Sequence, residues 1–140
     1  MVKTGTISHI ALSASDYEKS KKFYSFLLCD LLGYTKVMDQ PYCTMWTLDS
    51  STICVSPGNQ TPHHKANPGL HHLAFCTETH DLIDDFYNKI VHFQDENKDM
   101  SASVILDKPA LYPQYGEGYY GVFFTDPDGI KLELCYTPSH

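Results

Sequence analysis

Small or polar residues alternate with large apolar ones along four short runs: "TISHIALSA" (6–14), "STICVS" (51–56), "LHHLAFCT" (70–77) and "GIKLELCY" (129–136). A period of two is the mark of a strand with two unlike faces. Between these runs the spacing changes. Phe23, Leu27 and Leu31 recur as on one side of a helix; "SDYE" (15–18) ahead of them reads as a capping box, with Ser15 at the N-cap and Glu18 at N3. Gly33 supplies the stop. Leu82, Ile83, Phe86 and Ile90 form a second helical stripe. Further strands are predicted at "YTKVM" (34–38), "YCTMWTL" (42–48), "SASVIL" (101–106) and "YYGVFFT" (119–125), and the turn "DPDG" (126–129) leads into the last one.

The pattern occurs twice. "HIALSASDYEKSKKFY" (9–24) and "HLAFCTETHDLIDDFY" (72–87) align at a constant offset of 63 residues, from His9 to His72 and from Phe23 to Phe86. Each copy reads strand, helix, three strands, an α+β unit. We expect one domain over 1–140, with module 1 at about 5–57, module 2 at about 69–137 and a polar linker at 58–68. Positions 54 and 133 stand 79 apart, so the second copy is 16 residues longer. The tyrosine-rich segment 107–121 is expected to hold most of the excess.

Sorting side chains by strand face separates Ile10, Leu12, Ile53, Val55, Leu73, Phe75, Leu132 and Leu134 from a second face of small and polar groups. His9, Cys54, His72 and Glu133 all fall on the second face, beside Ala11 and Ala74, which leave room for a cavity. His71 takes the opposite parity and is assigned to the helix-packed face or its rim. Taken singly, each histidine reads as a hydrogen-bonded core residue and Glu133 as a solvated one. Together, two imidazoles and a carboxylate from separate strands suit a metal with open positions. Cys54 is a doubtful fourth ligand, better read as a small buried thiol. Tyr112, Tyr115, Tyr119 and Tyr120 form either an aromatic wall over the metal or a surface loop packed on itself.

Composition narrows the partners. Net charge is −7 and all ten basic residues are lysine, which argues against nucleic acid and removes the two-point arginine clamp for carboxylates and phosphates. No run is long and apolar enough to span a membrane, and none reads as an export signal, so a cytoplasmic protein is expected. The odd number of cysteines, five, without Cys-x-x-Cys spacing, suits reduced thiols. "NQT" (59–61) is discounted as a sequon for want of that signal. "GEGYYG" (116–121) has dinucleotide-site spacing, but a strand follows it where such a site needs a helix. "HHK" (63–65) reads as exposed linker.

The paired units, "SHIALSASDYEKSKKFY", "GLHHLAF" and above all "YYGVFFTDPDGIKLEL" resemble the vicinal oxygen chelate superfamily, which includes glyoxalase I, extradiol dioxygenases and the fosfomycin and bleomycin resistance proteins. The resemblance implies two βαβββ modules curled into an incomplete eight-stranded barrel around a metal cavity. It implies a divalent ion on His9, His72 and Glu133, with ferrous iron first among the candidates and Zn2+, Ni2+ or Mn2+ after it. Position 54, where glyoxalase-like members carry a carboxylate or amide, departs from the pattern. Glu133 is the implied catalytic base, and Tyr115, Tyr119, Tyr120 and Phe123 are the candidate substrate-binding residues. Phe123 stands where dioxygenases carry a tyrosine. Absence of arginine counts against both glutathione binding and a phosphonate-modifying resistance enzyme. Two functions follow as expectations: a metal-dependent enzyme, dioxygenase-like or glyoxalase-like, for a small molecule with vicinal oxygens; or a sequestering protein of the same fold. A homodimer is among the expected assemblies.

Overall fold

The computed structural model describes residues 3–100 and 105–138 and groups the chain into two compact units, 1–61 and 62–140. In the first, β1 (Ile10–Ala14) leads into α1 (Tyr17–Ser25), which continues as a π-helical turn over Phe26–Leu31. Strands β2 (Thr35–Gln40), β3 (Cys43–Leu48) and β4 (Ser51–Pro57) follow, in the sheet order β1-β4-β3-β2. The second unit repeats the plan with β5 (Leu73–Cys76), α2 (His80–Glu96), β6 (Ile105–Leu111), β7 (Tyr120–Thr125) and β8 (Lys131–Tyr136), ordered β5-β8-β7-β6. In both, the first strand runs parallel to the last and the other pairs are antiparallel. These are the two βαβββ modules expected from the repeat. Among the described residues, no helix is long and apolar enough to cross a membrane.

Each sheet buries its large apolar face against its own helix. Leu12, Ile53, Val55 and Trp46 are buried in the first unit along with Phe23, Tyr24, Leu27 and Leu28. In the second, Val122, Phe124, Leu132 and Leu134 are buried with Ile83, Phe86, Ile90 and Phe93, and the Phe86 and Phe124 rings lie 5.3 Å apart. The expected α2 stripe therefore shifts. Leu82 is 48% exposed and Phe93 completes the 83-86-90-93 line, because Leu82 lies one residue's turn round the cylinder.

Three further boundaries differ from the sequence expectation. The N-cap of α1 is Asp16, not Ser15: Asp16 O accepts the first helical bond from Ser20 N, and Asp16 Oδ1 accepts from Lys19 N at 3.1 Å. The strands β1 and β5 start later than the alternation suggested, at Ile10 and Leu73. Among the described residues each stands at the edge of its own unit's sheet, paired with β4 or β8, and the register with β8 begins at Leu73↔Leu132, just after β8 itself starts. His9 and His72 thus immediately precede their strands. Two residues (41–42) separate β2 from β3, whereas eight (112–119) separate β6 from β7, so part of the second copy's excess falls in the tyrosine-rich segment as expected. Of the run "SASVIL", 101–104 lies outside the described residues.

The expected "DPDG" turn forms around one buried carboxylate, Asp126. Asp126 Oδ1 accepts from Asp128 N at 2.8 Å and Ile130 N at 2.9 Å, and Gly129 takes φ +79°. Asp126→Ala is expected to destabilise the chain by about 2–3 kcal/mol in urea unfolding. Asp126→Asn, which keeps the accepting oxygen, should lose markedly less; equal losses would contradict this role.

Candidate metal and substrate site

Glu133 is the centre of the second unit's polar face. It lies mid-strand in β8, between Ala74 on the parallel neighbour β5 and Phe123 on the antiparallel neighbour β7. It is 2% exposed. A bare carboxylate at that depth is costly, so its oxygens need partners. Tyr119 O–H donates to Oε1 at 2.5 Å, and His72 Nε2 faces Oε2 at 3.3 Å. The two small neighbours make this geometry available. A Cβ added at Gly121 would stand 3.2 Å from Glu133 Oε1, and Ala74 offers only a methyl.

The tyrosine held against Glu133 keeps its proton. Burial first, then hydrogen bonds with Cys135 and Glu133, push the Tyr119 phenol well above the ordinary tyrosine range. Cys135 on the same face is a buried thiol, raised chiefly by that burial.

Around this centre stands a set of rings. Tyr112 stacks on Tyr115 at 5.8 Å and meets Phe123 edge-on at 5.4 Å; Tyr115 meets Tyr119 at 5.4 Å. Phe123 in turn lies 6.3 Å from the His72 ring and under Lys131 Nζ at 4.3 Å. The structure therefore brings Tyr115, Tyr119 and Phe123 together with Tyr112, the other tyrosine expected in this aromatic cluster.

Tyr120 does not join them. It has the parity of Val122 and Phe124, on the α2 side of the sheet, where its ring stacks on His80 at 4.4 Å and its O–H donates to Asp84 Oδ1 at 2.6 Å. That bond, ahead of burial, pushes its phenol up to about 12. Since the folded value is raised, the bond's contribution to stability is whole below about pH 10, the unfolded value, and is lost as pH climbs to about 12. The difference in denaturation midpoint between the parent and Tyr120→Phe should accordingly close between pH 10 and 12; a difference constant across that window would contradict the assignment.

His71, expected on the helix-packed face or its rim, is exposed, and its ring is turned onto His72: the Nδ1 atoms lie 2.7 Å apart and the ring centroids 5.0 Å. Both residues precede the first residue of β5, so the pleat does not impose opposite directions on them. The only sequence signal for this contact was the adjacency itself.

In the first unit, His9 is exposed, and its Nδ1 lies 3.1 Å from Ser8 Oγ. Cys54 is buried in β4, between Ala11 and Met45, with its thiol raised by burial and by neighbouring Cys43. Among the described residues no cluster of three or more His, Cys, Asp or Glu side chains is gathered for a metal. The candidate ligands that the second unit brings together are His72 and Glu133.

Their separation fits a common ion. Donors on one ion at about 2.0–2.2 Å with bonds at right to tetrahedral angles stand about 3.0–3.5 Å apart. The 3.3 Å between His72 Nε2 and Glu133 Oε2 falls in that interval, and the second oxygen of Glu133 is already held from outside by Tyr119.

Comparison with known proteins agrees with the fold. The profile of the Glyoxalase/Bleomycin resistance protein/Dioxygenase superfamily matches residues 6–134. The uncharacterized proteins YqjT of Bacillus subtilis and YaeR of Escherichia coli are 29% and 30% identical, over 90% and 91% of this chain and 94% and 93% of their own. The metallothiol transferase FosB of Staphylococcus haemolyticus is 27% identical over 91% of this chain and 81% of its own. A putative glyoxalase from Bacillus halodurans superposes with a TM-score of 0.72 at 22% identity, covering 96% of this chain and 97% of that one.

Proposed function

We propose that this chain, which belongs to the Glyoxalase/Bleomycin resistance protein/Dioxygenase superfamily, is a metal-dependent enzyme acting on a small molecule that chelates the ion through two neighbouring oxygens. The observation that carries the reading is the 3.3 Å approach of His72 Nε2 to Glu133 Oε2, with the carboxylate buried and its other oxygen fixed by Tyr119. His72 and Glu133 would hold a divalent ion, and the family pattern adds His9 to the set. Cys54, buried and with its thiol raised, is better suited to packing than to ligation.

When bound, the ion supplies Lewis-acid stabilisation of negative charge on the substrate's oxygens. The residues of the chain supply the rest. Tyr119 keeps its proton and donates to Oε1, which leaves Oε2 as the atom through which Glu133 binds or accepts a proton. Phe123, the sheet partner of Glu133, offers flat apolar surface together with the Tyr112 and Tyr115 rings.

Proton transfer of the glyoxalase kind uses such a carboxylate as base, and dioxygenase chemistry uses two histidines with one. The FosB relatives, named as metallothiol transferases, add thiol transfer to the reactions to be assayed. The second reading, a binding protein that sequesters its ligand, draws on the same aromatic cluster.

Elemental analysis of untagged protein reconstituted with Fe2+, Mn2+ or Zn2+ tests the proposal. One equivalent of metal is expected, lost in His9→Ala, His72→Ala and Glu133→Ala and kept in Cys54→Ser. Oxygen uptake with catechols, methylglyoxal–glutathione turnover and thiol consumption then separate the reactions. A chain that holds no stoichiometric metal but binds an organic ligand tightly would support sequestration instead.

A further inference from the structure

We infer that His71 is the positioning residue of the site: its ring bonds His72 Nδ1 and so holds the His72 ring in the orientation that presents Nε2, and not Nδ1, to Glu133. The inference rests on the metal reading above only for its consequence, not for the contact itself. Two neutral imidazole nitrogens 2.7 Å apart are bonded only if one carries the proton and the other a lone pair. His72 has its other nitrogen 3.3 Å from a buried carboxylate oxygen. In the metal-free chain the consistent arrangement gives Nε2 the proton, donated to Glu133 Oε2. His72 Nδ1 then accepts from His71 Nδ1–H.

Giving the Nε2 lone pair to an ion requires the opposite. His72 must then carry its proton on Nδ1 and donate it to His71 Nδ1, whose own proton moves to its exposed Nε2. The contact between the rings survives because histidine can stand on either side of it. A lysine or arginine at 71 would only donate, and an apolar residue would do neither. Metal-ligating histidines characteristically depend on such a partner at the far nitrogen for orientation and basicity. Here it comes from the adjacent residue in sequence, which is sterically available because β5 does not begin until Leu73.

Three forms of the chain decide this: the parent, His71→Leu and His71→Asn, whose amide can turn to donate or accept. Long-range 15N–1H correlation of the imidazoles in metal-free protein, at a pH where both rings are neutral, should show His72 as the Nε2–H tautomer in the parent. The same form should appear in His71→Asn and a mixture in His71→Leu. Zn2+ affinity, measured by competition with a chromophoric chelator, should fall about tenfold or more in His71→Leu and largely recover in His71→Asn. An unchanged His72 tautomer in His71→Leu, or unchanged Zn2+ affinity, overturns the inference. A parent chain that binds no Zn2+ overturns the metal reading, and the tautomer spectra then decide the role of His71 on their own.

Discussion

A carboxylate buried in the middle of a strand is the constraint to which the second unit is built. Removing Glu133 from water costs several kcal/mol unless its oxygens are partnered, and the neighbouring sequence supplies the partners one strand at a time. β5 contributes Ala74, which makes room, and the histidine just ahead of it. β7 contributes Gly121, whose missing side chain clears the path to Oε1, and the tyrosine just ahead of that strand fills it with a hydroxyl. The result is an asymmetric carboxylate, one oxygen occupied by a donor that keeps its proton and the other turned toward an imidazole. Such asymmetry is of little use to a structural hydrogen bond and of direct use to a ligand or a base.

The parallel pairing of β5 and β8 makes this possible. A parallel neighbour places the start of β5 beside the start of β8, so residues at the head of one strand reach the first turns of the other. Because β5 stands at the edge of its own unit's sheet and stops pairing at Leu73, the two histidines before it are released from the pleat. One faces Glu133 while the other closes on its neighbour's far nitrogen.

Much of this was legible in the sequence. The 63-residue offset predicted two like modules, and it holds for the first strands, which start at Ile10 and Leu73, and for the helices, which start at Tyr17 and His80. Alternation put Glu133 opposite Leu132 and Leu134, whose burial is a strong energetic preference; His72 lies one residue ahead of β5, where the pleat does not set its direction. What failed was local. Ser15 lost the cap to Asp16 because the two compete within one residue of each other, and only the backbone's entry into α1 decides between them. Strand parity says nothing of the contact between His71 and His72, because both residues lie ahead of β5. Tyr120 was grouped with the other tyrosines by composition, although its parity with Val122 and Phe124 already pointed to α2.

X-ray absorption on the metal-reconstituted chain tests most directly whether the buried glutamate and its imidazole neighbour share an ion. The account predicts a first shell of nitrogen and oxygen at about 2.0–2.2 Å with the outer-shell scattering of imidazole. A sulfur shell at about 2.3 Å, drawing in Cys54 or Cys135, or a shell without imidazole, would contradict it.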